Sequence, residues 1–235
     1  MTEILTRAGM YESKPVAIPV PVSRPVSGSN QPFKDPTKYR SIAGALQYLT
    51  VTRPDLSYAV NLLCQHMHAP TDAHWAHLKW VLWYVKGTLH YGLVLRKSPN
   101  TDIHAYSDSN WASCPTDRKS TAALRFFWVL ISFCGFAKRS VQWPDRLMRL
   151  SVLSGSAPKL WCDNLGATYM CTNPVFMHET YIEIDYHFVG DKVAAGELQV
   201  NFISTKDQLT DIFTKPLAAP RFAFLPGKLQ VVALP

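Results

Sequence analysis

The sequence contains no Cys-x-x-Cys pair, and its five cysteines are scattered and odd in number. Redox motifs and most zinc modules need two cysteines at close spacing, and a disulfide framework usually has an even number. The cysteine pattern therefore fits a reduced intracellular protein better than a disulfide scaffold.

Signals for export and for membrane insertion are also lacking. The first seven residues, Met-Thr-Glu-Ile-Leu-Thr-Arg, do not follow the basic-then-apolar order of a signal peptide. The longest apolar run near the middle of the chain, Phe126 to Phe136, is too short to cross a bilayer. We expect an intracellular protein, cytoplasmic or nuclear, that is not secreted and has no membrane partner.

Fingerprints of several enzyme classes are missing as well: there is no Gly-x-Ser-x-Gly elbow, no P-loop and no dinucleotide motif. The sequence does have 47% apolar residues and a net charge of +7, which suit a globular core with a basic surface. A basic surplus of this size is compatible with a nucleic-acid partner but does not require one.

The pattern of residues divides the chain into four regions. Residues 1–36 include a proline-rich stretch that predicts an extended linker, because proline lacks the N–H donor that a helix interior uses. Residues 37–99 have apolar positions at helical spacing and predict packed helices, the last one capped by Thr71 or Asp72 and ending at Gly87. Residues 100–222 mix short apolar runs with helical ones and predict an α/β domain with a mixed sheet. Residues 223–235 form a tail.

Four strands and three helices are predicted within residues 100–222. The strands are Ile103 to Tyr106, Ala122 to Phe136, Lys159 to Cys162 and Leu198 to Ile203, and the helices are Asn164 to Cys171, Glu183 to Ala195 and Gln208 to Thr214.

Three aspartates stand where these elements begin or end: Asp108, Asp163 and Asp211. Carboxylates that converge at a sheet edge repel one another unless a hard cation lies between them, and Mg²⁺ prefers such oxygen ligands. From spacing alone, aspartates at element ends are more often caps or turn formers. Two other groups are weaker candidates: Cys64, His66 and His68 for zinc, and Trp75, Trp80 and Trp83 for base stacking, with helix packing as the commoner role.

Several long strings resemble copia-type LTR-retrotransposon Pol polyproteins. Tyr39-Arg-Ser-Ile-Ala-Gly-Ala-Leu-Gln-Tyr-Leu and Thr52-Arg-Pro-Asp-Leu-Ser-Tyr-Ala are similar to the segment that follows the polymerase core. Tyr106-Ser-Asp-Ser-Asn-Trp-Ala, Leu160-Trp-Cys-Asp-Asn-Leu-Gly-Ala and Gln208-Leu-Thr-Asp-Ile-Phe-Thr-Lys-Pro-Leu resemble parts of the ribonuclease H domain. The resemblance implies a helical reverse transcriptase tail over residues 37–99 and a ribonuclease H-like mixed sheet with flanking helices over residues 100–222.

The resemblance also implies a metal site. The family uses four acidic residues, of which the first, third and last correspond to Asp108, Asp163 and Asp211 as Mg²⁺ ligands and catalytic residues. The second is a glutamate in a helix that reads roughly Ser-Ser-Thr-Glu-Ala-Glu-Tyr, and no such string occurs here. The region 136–159 holds Gln142-Trp-Pro-Asp-Arg-Leu-Met-Arg-Leu instead and is shorter than in the family, so most of that helix is expected to be missing.

A shifted reading frame explains this odd segment. Gln142 to Ser151 can be encoded as CAG TGG CCC GAT CGT CTA ATG AGG CTG AGT, and reading from the third nucleotide gives Val-Ala-Arg-Ser-Ser-Asn-Glu-Ala-Glu. That string nearly restores the missing helix with its glutamates.

The sequence therefore predicts a degenerate fragment of a retrotransposon Pol polyprotein. Its ancestral activity is Mg²⁺-dependent hydrolysis of RNA in RNA–DNA hybrids alongside reverse transcription, and catalysis is expected to be impaired. The expected partners are a hybrid or another nucleic acid and the remainder of the polyprotein. The basic residues Arg118, Lys119, Lys138 and Arg139 are weak candidates for phosphate contacts. The alternatives are a non-catalytic nucleic-acid-binding module and an inert relic.

Overall fold

The computed structural model describes residues 1–21, 29–95, 102–110, 121–128, 131–135, 156–172 and 183–234. They divide into two compact units, one formed by Met1–Val94 with Lys215–Pro235 and the other by Leu95–Thr214. The first is mainly helical and is called the helical unit; the second is built on a five-stranded sheet and is called the sheet unit. The predicted α/β class is confirmed.

The first part of the helical unit consists of α1 (Thr2–Ala8), α2 (Pro36–Leu49), a 3₁₀ turn (Pro54–Leu56), α3 (Ser57–Cys64) and α4 (Asp72–Gly87), followed by the short strand β1 (Tyr91–Leu93). Side chains cap the N-termini of α2 and α4. The Asp35 carboxylate accepts a hydrogen bond from the Lys38 backbone N–H at 2.9 Å, and Thr71 caps α4. The predicted helices between Tyr39 and Gly87, with Thr71 as the last cap, are confirmed.

A buried ion pair lies among these helices. The guanidinium of Arg53 donates two hydrogen bonds to the Asp55 carboxylate, at 2.9 and 2.7 Å, and both side chains have no solvent exposure. Arg53 also donates to the carbonyl and the hydroxyl of Thr88, and the Tyr84 hydroxyl donates to Asp55 at 2.7 Å. Opposite charges that are neutralised and hydrogen-bonded in this way can remain inside a protein.

The sheet unit has the strand order β4-β3-β2-β5-β6. The strands are β2 (Ile103–Asn110), β3 (Thr121–Trp128), β4 (Ile131–Gly135), β5 (Lys159–Cys162) and β6 (Gln199–Phe202). Strands β2, β3 and β4 pair antiparallel, whereas β5 pairs parallel with both β2 and β6. The helices that can be described are α5 (Leu165–Thr172), α6 (Glu183–Ala194) and α7 (Asp211–Thr214).

One face of the sheet forms the core of this unit. Ala105 on β2 and Leu160 on β5 pack with Val189 of α6 and with Leu198, and all four are buried. Because side chains alternate along a strand, His104, Tyr106 and Asp108 point to the opposite face. Because Ala105 faces the core, Asp108 lies on the opposite face of the sheet.

The predicted single strand from Ala122 to Phe136 is wrong, because the structure has two strands there, β3 and β4. The two strands pair antiparallel, and Trp128 lies opposite Ile131. The run Leu-Arg-Phe-Phe-Trp-Val-Leu-Ile-Ser-Phe contains no Gly, Pro, Asn or Asp, which usually mark a hairpin turn. The apolar pattern could not reveal where the chain reverses.

The last described segment belongs to the helical unit. Helix α8 (Ala219–Lys228) places Phe222 against Tyr84 with ring centroids 5.6 Å apart, and β7 (Val231–Ala233) pairs antiparallel with β1. The sequence had assigned residues 215–222 to the α/β domain and residues 223–235 to a tail, so this pairing was not foreseen. In the described ranges, no helix is long and apolar enough to cross a membrane.

Candidate metal centre

Parallel pairing of β2 and β5 brings two aspartates to one sheet edge. Ser107 lies opposite Cys162 at the last pair of the register, so Asp108 and Asp163 are the next residues along the two strands. The carboxyl ends of neighbouring parallel strands meet at the same edge, which is where α/β proteins commonly place their sites. Asp108 is 9% exposed.

Asp211 approaches the same edge from a different part of the chain. It is the first residue of α7, a short helix whose four residues are all buried, and it is itself 5% exposed. Helix α7 lies against β2 and β3. A third carboxylate is thereby held beside Asp108 on β2 and Asp163 directly after β5.

The three carboxylates form a compact group. One oxygen each from Asp108, Asp163 and Asp211 lies within 4.8 Å of the other two. Three negative charges at this separation repel one another unless a cation compensates them. The donor set consists of carboxylate oxygens alone, which is the chemistry that Mg²⁺ and similar hard cations require. These residues fit a divalent metal ion.

Neutral side chains orient two of the carboxylates. The Thr214 hydroxyl, one helical turn after Asp211, donates a hydrogen bond to Oδ2 of Asp108. The Gln208 amide donates to Oδ1 of Asp163 at 3.4 Å. The residues alone predict no role for Gln208 or Thr214, because the carboxylates that they contact lie far away along the chain.

A row of aromatic side chains lies on the same sheet face as Asp108. Trp161 donates its indole N–H to Nδ1 of His104 at 3.0 Å, and its ring stacks on those of His104 and Tyr106. Burial and the positive charge of Lys159 lower the pKa of His104, whereas burial and the charge of Asp207 raise the pKa of Tyr106. Both rings are therefore uncharged at neutral pH.

Several predicted residues cannot be placed. Arg118, Lys119, Lys138 and Arg139, the candidates for phosphate contacts, lie outside the described residues. So does most of the region 136–159, where the sequence predicts that the glutamate-bearing helix is missing; residues 156–159 are described.

Histidines gather in the helical unit, but not as a metal site. The rings of His66 and His74 stack with their centroids 3.8 Å apart. Burial lowers the pKa of both histidines, that of His74 to about 4. Within the part of the chain that the structure describes, Cys64, His66 and His68 do not bring three ligand atoms together, so the zinc alternative gains no support.

Known proteins with similar sequences include transposon polyproteins. The retrovirus-related Pol polyprotein from transposon RE2 of Arabidopsis thaliana is 42% identical over 259 positions, which cover 99% of this chain and 18% of that protein. The corresponding polyprotein from transposon TNT 1-94 of Nicotiana tabacum is 25% identical over 93% of this chain and 19% of its own length. The uncharacterized mitochondrial protein AtMg00240 of Arabidopsis thaliana is 39% identical over 45% of this chain and 94% of its own length.

The chain thus spans about a fifth of the Pol polyproteins it matches. The alignment with the RE2 protein runs over 259 positions although the chain has 235 residues, so parts of RE2 have no counterpart here. No protein-family model and no solved structure matches the chain. Because the similarity to these polyproteins extends over nearly the whole chain, the chain belongs to the retrovirus-related Pol polyproteins of copia-type transposons, of which it represents a fragment.

Proposed function

We propose that the sheet unit is a ribonuclease H-like domain whose Asp108, Asp163 and Asp211 bind Mg²⁺. Its ancestral reaction is hydrolysis of the RNA strand of an RNA–DNA hybrid, and the present chain has lost most of that activity. The observation that carries the proposal is the convergence of three carboxylates from separate parts of the chain within 4.8 Å of one another.

The topology supports the same proposal. The resemblance to the ribonuclease H domain implies a mixed sheet with flanking helices, and the sheet unit has a mixed sheet with the strand order β4-β3-β2-β5-β6. Membership in the Pol family supplies a context in which hybrids are made and must be degraded. The net charge of +7 is compatible with binding a polyanionic duplex.

Each carboxylate has a defined task in this scheme. Asp108 on β2 and Asp163 directly after the neighbouring strand β5 would hold the cation at the sheet edge, and Asp211 would close the site from α7. Bound Mg²⁺ supplies charge stabilisation for an attacking water and a departing phosphodiester oxygen. Thr214 restrains the Asp108 carboxylate through its hydroxyl, which favours one orientation of the ligand oxygens.

The missing fourth acidic residue is the reason to expect weak activity. The chain between Asp108 and Asp163 contains only Asp117 and Asp145 as acidic residues, and neither stands in a string like that of the family's second ligand. A site for two metal ions then lacks part of its charge compensation. The coding DNA tests the origin of this loss. A Ser-Ser-x-Glu-Ala-Glu-like string in an alternative frame across residues 141–151 supports a frameshift, and its absence contradicts one.

A non-catalytic nucleic-acid-binding module is the second candidate, and the net charge of +7 favours it. The two candidates differ in what they predict for metals. A module that binds only through its basic surface would not need the three carboxylates, and its affinity would fall steeply as salt is added.

A hybrid-cleavage assay together with metal titration tests the proposal. The full chain is mixed with a labelled RNA–DNA hybrid and Mg²⁺, and Mn²⁺ binding is followed separately by electron paramagnetic resonance. We expect the unaltered chain to bind Mn²⁺ and to cleave the hybrid negligibly, and we expect Asp108→Asn and Asp211→Asn to abolish the Mn²⁺ binding. If the unaltered chain cleaves the hybrid at ordinary enzyme rates and Asp108→Asn abolishes this cleavage, the proposed loss of activity is wrong. An absence of metal binding by the unaltered chain would overturn the metal site itself.

A further inference from the structure

Gln208 lies completely buried, three residues before Asp211, and its side chain is part of the surroundings of the carboxylates. A buried primary amide must satisfy two N–H donors and one carbonyl acceptor inside the protein. The partners of Gln208 therefore indicate what the side chain holds together.

The amide contacts all three segments that carry the carboxylates. Its nitrogen donates to the carbonyl oxygen of Ser107, the residue before Asp108, at 3.0 Å, and to Oδ1 of Asp163 at 3.4 Å. Its oxygen accepts from the hydroxyl of Thr210, the residue before Asp211, at 2.7 Å, and from the Thr210 backbone N–H at 3.4 Å.

These partners fix the orientation of the amide. The nitrogen lies near two acceptors, a carbonyl and a carboxylate, and the oxygen lies near the hydroxyl and the backbone N–H of Thr210. A rotation of the amide by 180° would set its oxygen against the Ser107 carbonyl and the Asp163 carboxylate, and its N–H groups against the Thr210 backbone N–H. The observed orientation therefore depends on the present positions of the three segments.

We infer that Gln208 is a positioning residue, which sets the affinity of the carboxylate site for a divalent cation by fixing the relative positions of Asp108, Asp163 and Asp211. The inference rests on the proposed function, because it presupposes that the carboxylates bind metal. A neutral amide suits this role: a carboxylate would add negative charge to the cluster, whereas an ammonium group would compete with the cation.

The experiment compares Gln208→Leu with a matched control, Gln199→Leu, in the full chain. Gln199 is an exposed residue of β6 in the same sheet, so its replacement tests for a general effect of losing a glutamine. Mn²⁺ affinity is measured by electron paramagnetic resonance with Mg²⁺ as competitor. Residues that hold metal ligands in place typically change affinity by about 10–100-fold. We expect a loss of that size for Gln208→Leu and no change for Gln199→Leu.

A second readout separates positioning from general destabilisation. Terbium luminescence lifetimes in H₂O and D₂O count the waters on the bound ion, and a displaced carboxylate ligand should add at least one water in Gln208→Leu. Thr210→Val serves as a milder variant if Gln208→Leu does not fold. It removes only the hydroxyl that donates to the Gln208 amide, and we expect a several-fold loss of affinity with cooperative unfolding retained.

The outcomes distinguish this inference from the proposed function. If the unaltered chain binds Mn²⁺ and both Gln208→Leu and Thr210→Val bind it within twofold, Gln208 does not position the ligands, and the metal site still stands. If the unaltered chain binds no divalent ion, the metal site and the role of Gln208 are both overturned. If Gln199→Leu loses as much Mn²⁺ affinity as Gln208→Leu, the role of Gln208 is also contradicted.

Discussion

The two units hold their buried charges in opposite ways. In the helical unit, the guanidinium of Arg53 lies 2.7 Å from the carboxylate of Asp55. Surrounding hydroxyls and a carbonyl form hydrogen bonds with the remaining polar atoms of these two side chains. In the sheet unit, three charges of the same sign lie within 4.8 Å, and Thr214 and Gln208 contribute only neutral donors.

Under the proposed function, this difference separates a structural use of charge from a metal-binding one. The Arg53–Asp55 pair neutralises itself, so we expect it to stabilise one arrangement of the helices. The three carboxylates repel one another, so we expect the folded state without a cation to be less stable than it would be with a neutral residue there. Substitutions in the two places should therefore act on stability with opposite sign.

The largest expected effect is that of Arg53→Met in the helical unit. Removal of the guanidinium leaves the Asp55 carboxylate buried without its counter-ion, and breaking such a pair typically costs about 3–5 kcal/mol. Urea denaturation followed by far-ultraviolet circular dichroism measures this loss. The double variant Arg53→Met/Asp55→Leu, which removes both charges, should recover much of the stability. If the double variant is as unstable as Arg53→Met alone, the unpaired charge of Asp55 is not the cause of the lost stability.

The second prediction concerns Asp163→Asn in the sheet unit. With EDTA present, one fewer negative charge in the cluster should raise the free energy of unfolding by about 1–2 kcal/mol at low salt, because like charges no longer repel as strongly. Added Mg²⁺ should stabilise the unaltered chain but not this variant.

Asp102→Asn is the matched control for Asp163→Asn. Asp102 lies in the same unit but pairs with Lys159 at 3.2 Å, so its neutralisation removes an attraction rather than a repulsion. Its half-exposed pair should contribute at most about 1 kcal/mol, and the change should be a loss. Stabilisation by both substitutions would mean that a general effect of net charge, not the cluster, is responsible.

The third prediction is a decline in the stability of the helical unit between about pH 6.5 and pH 4. Burial and the neighbouring His66 and His77 lower the pKa of His74 to about 4, below the ordinary value of 6.5. The unfolded chain therefore binds a proton at a higher pH than the folded one, and the contribution of neutral His74 is complete above pH 6.5 and lost as the pH falls. Denaturant midpoints measured across this range check the slope.

The capping box of α4 gives the physical cause and the control. Nδ1 of neutral His74 accepts a hydrogen bond from the Thr71 backbone N–H at 3.1 Å, which a protonated ring cannot do. His74→Asn keeps an acceptor at this position but does not titrate, so its stability should depend less on pH. If the stability of His74→Asn falls with pH as steeply as that of the unaltered chain, groups other than His74 cause the decline.

The smallest effect is expected for Lys192→Met in the sheet unit. Lys192 pairs with Glu197 at 2.8 Å, but both side chains are partly exposed, at 29% and 48%. Such pairs contribute about 0–1 kcal/mol because water and salt screen them. If Lys192→Met loses as much stability as Arg53→Met, burial does not determine how much an ion pair contributes to the free energy of unfolding in this protein.

Much of the fold could be predicted because its signals are local. Helix α4 begins after Thr71 and ends at Gly87 as predicted, since a capping residue and an apolar repeat act over a few positions. Strands β2 and β5 were found, though β2 extends to Asn110, because short apolar runs with β-branched and aromatic residues mark strands. The division into β3 and β4 was missed because the run carries no turn residue.

For the candidate site, spacing gave three aspartates at the ends of elements and no reason to prefer a metal over caps. The resemblance to the Pol family singled out the same residues, and the structure places them together. Their role as Mg²⁺ ligands remains a prediction. Gln208 and Thr214 could not have been assigned from the residues alone, because their partners, Ser107, Asp163 and Asp108, lie far away along the chain.

The sequence by itself determined the α/β class, the main helices, the strands β2 and β5, and membership in the Pol family, because propensities, caps and long motifs are written in neighbouring residues. Only the tertiary structure decided that Arg53 is buried against Asp55 and Tyr84, that β7 pairs with β1, and that one amide touches all three carboxylate-bearing segments. These contacts join residues that are distant in sequence, and their geometry follows from strand register and packing, which no short stretch of the chain specifies.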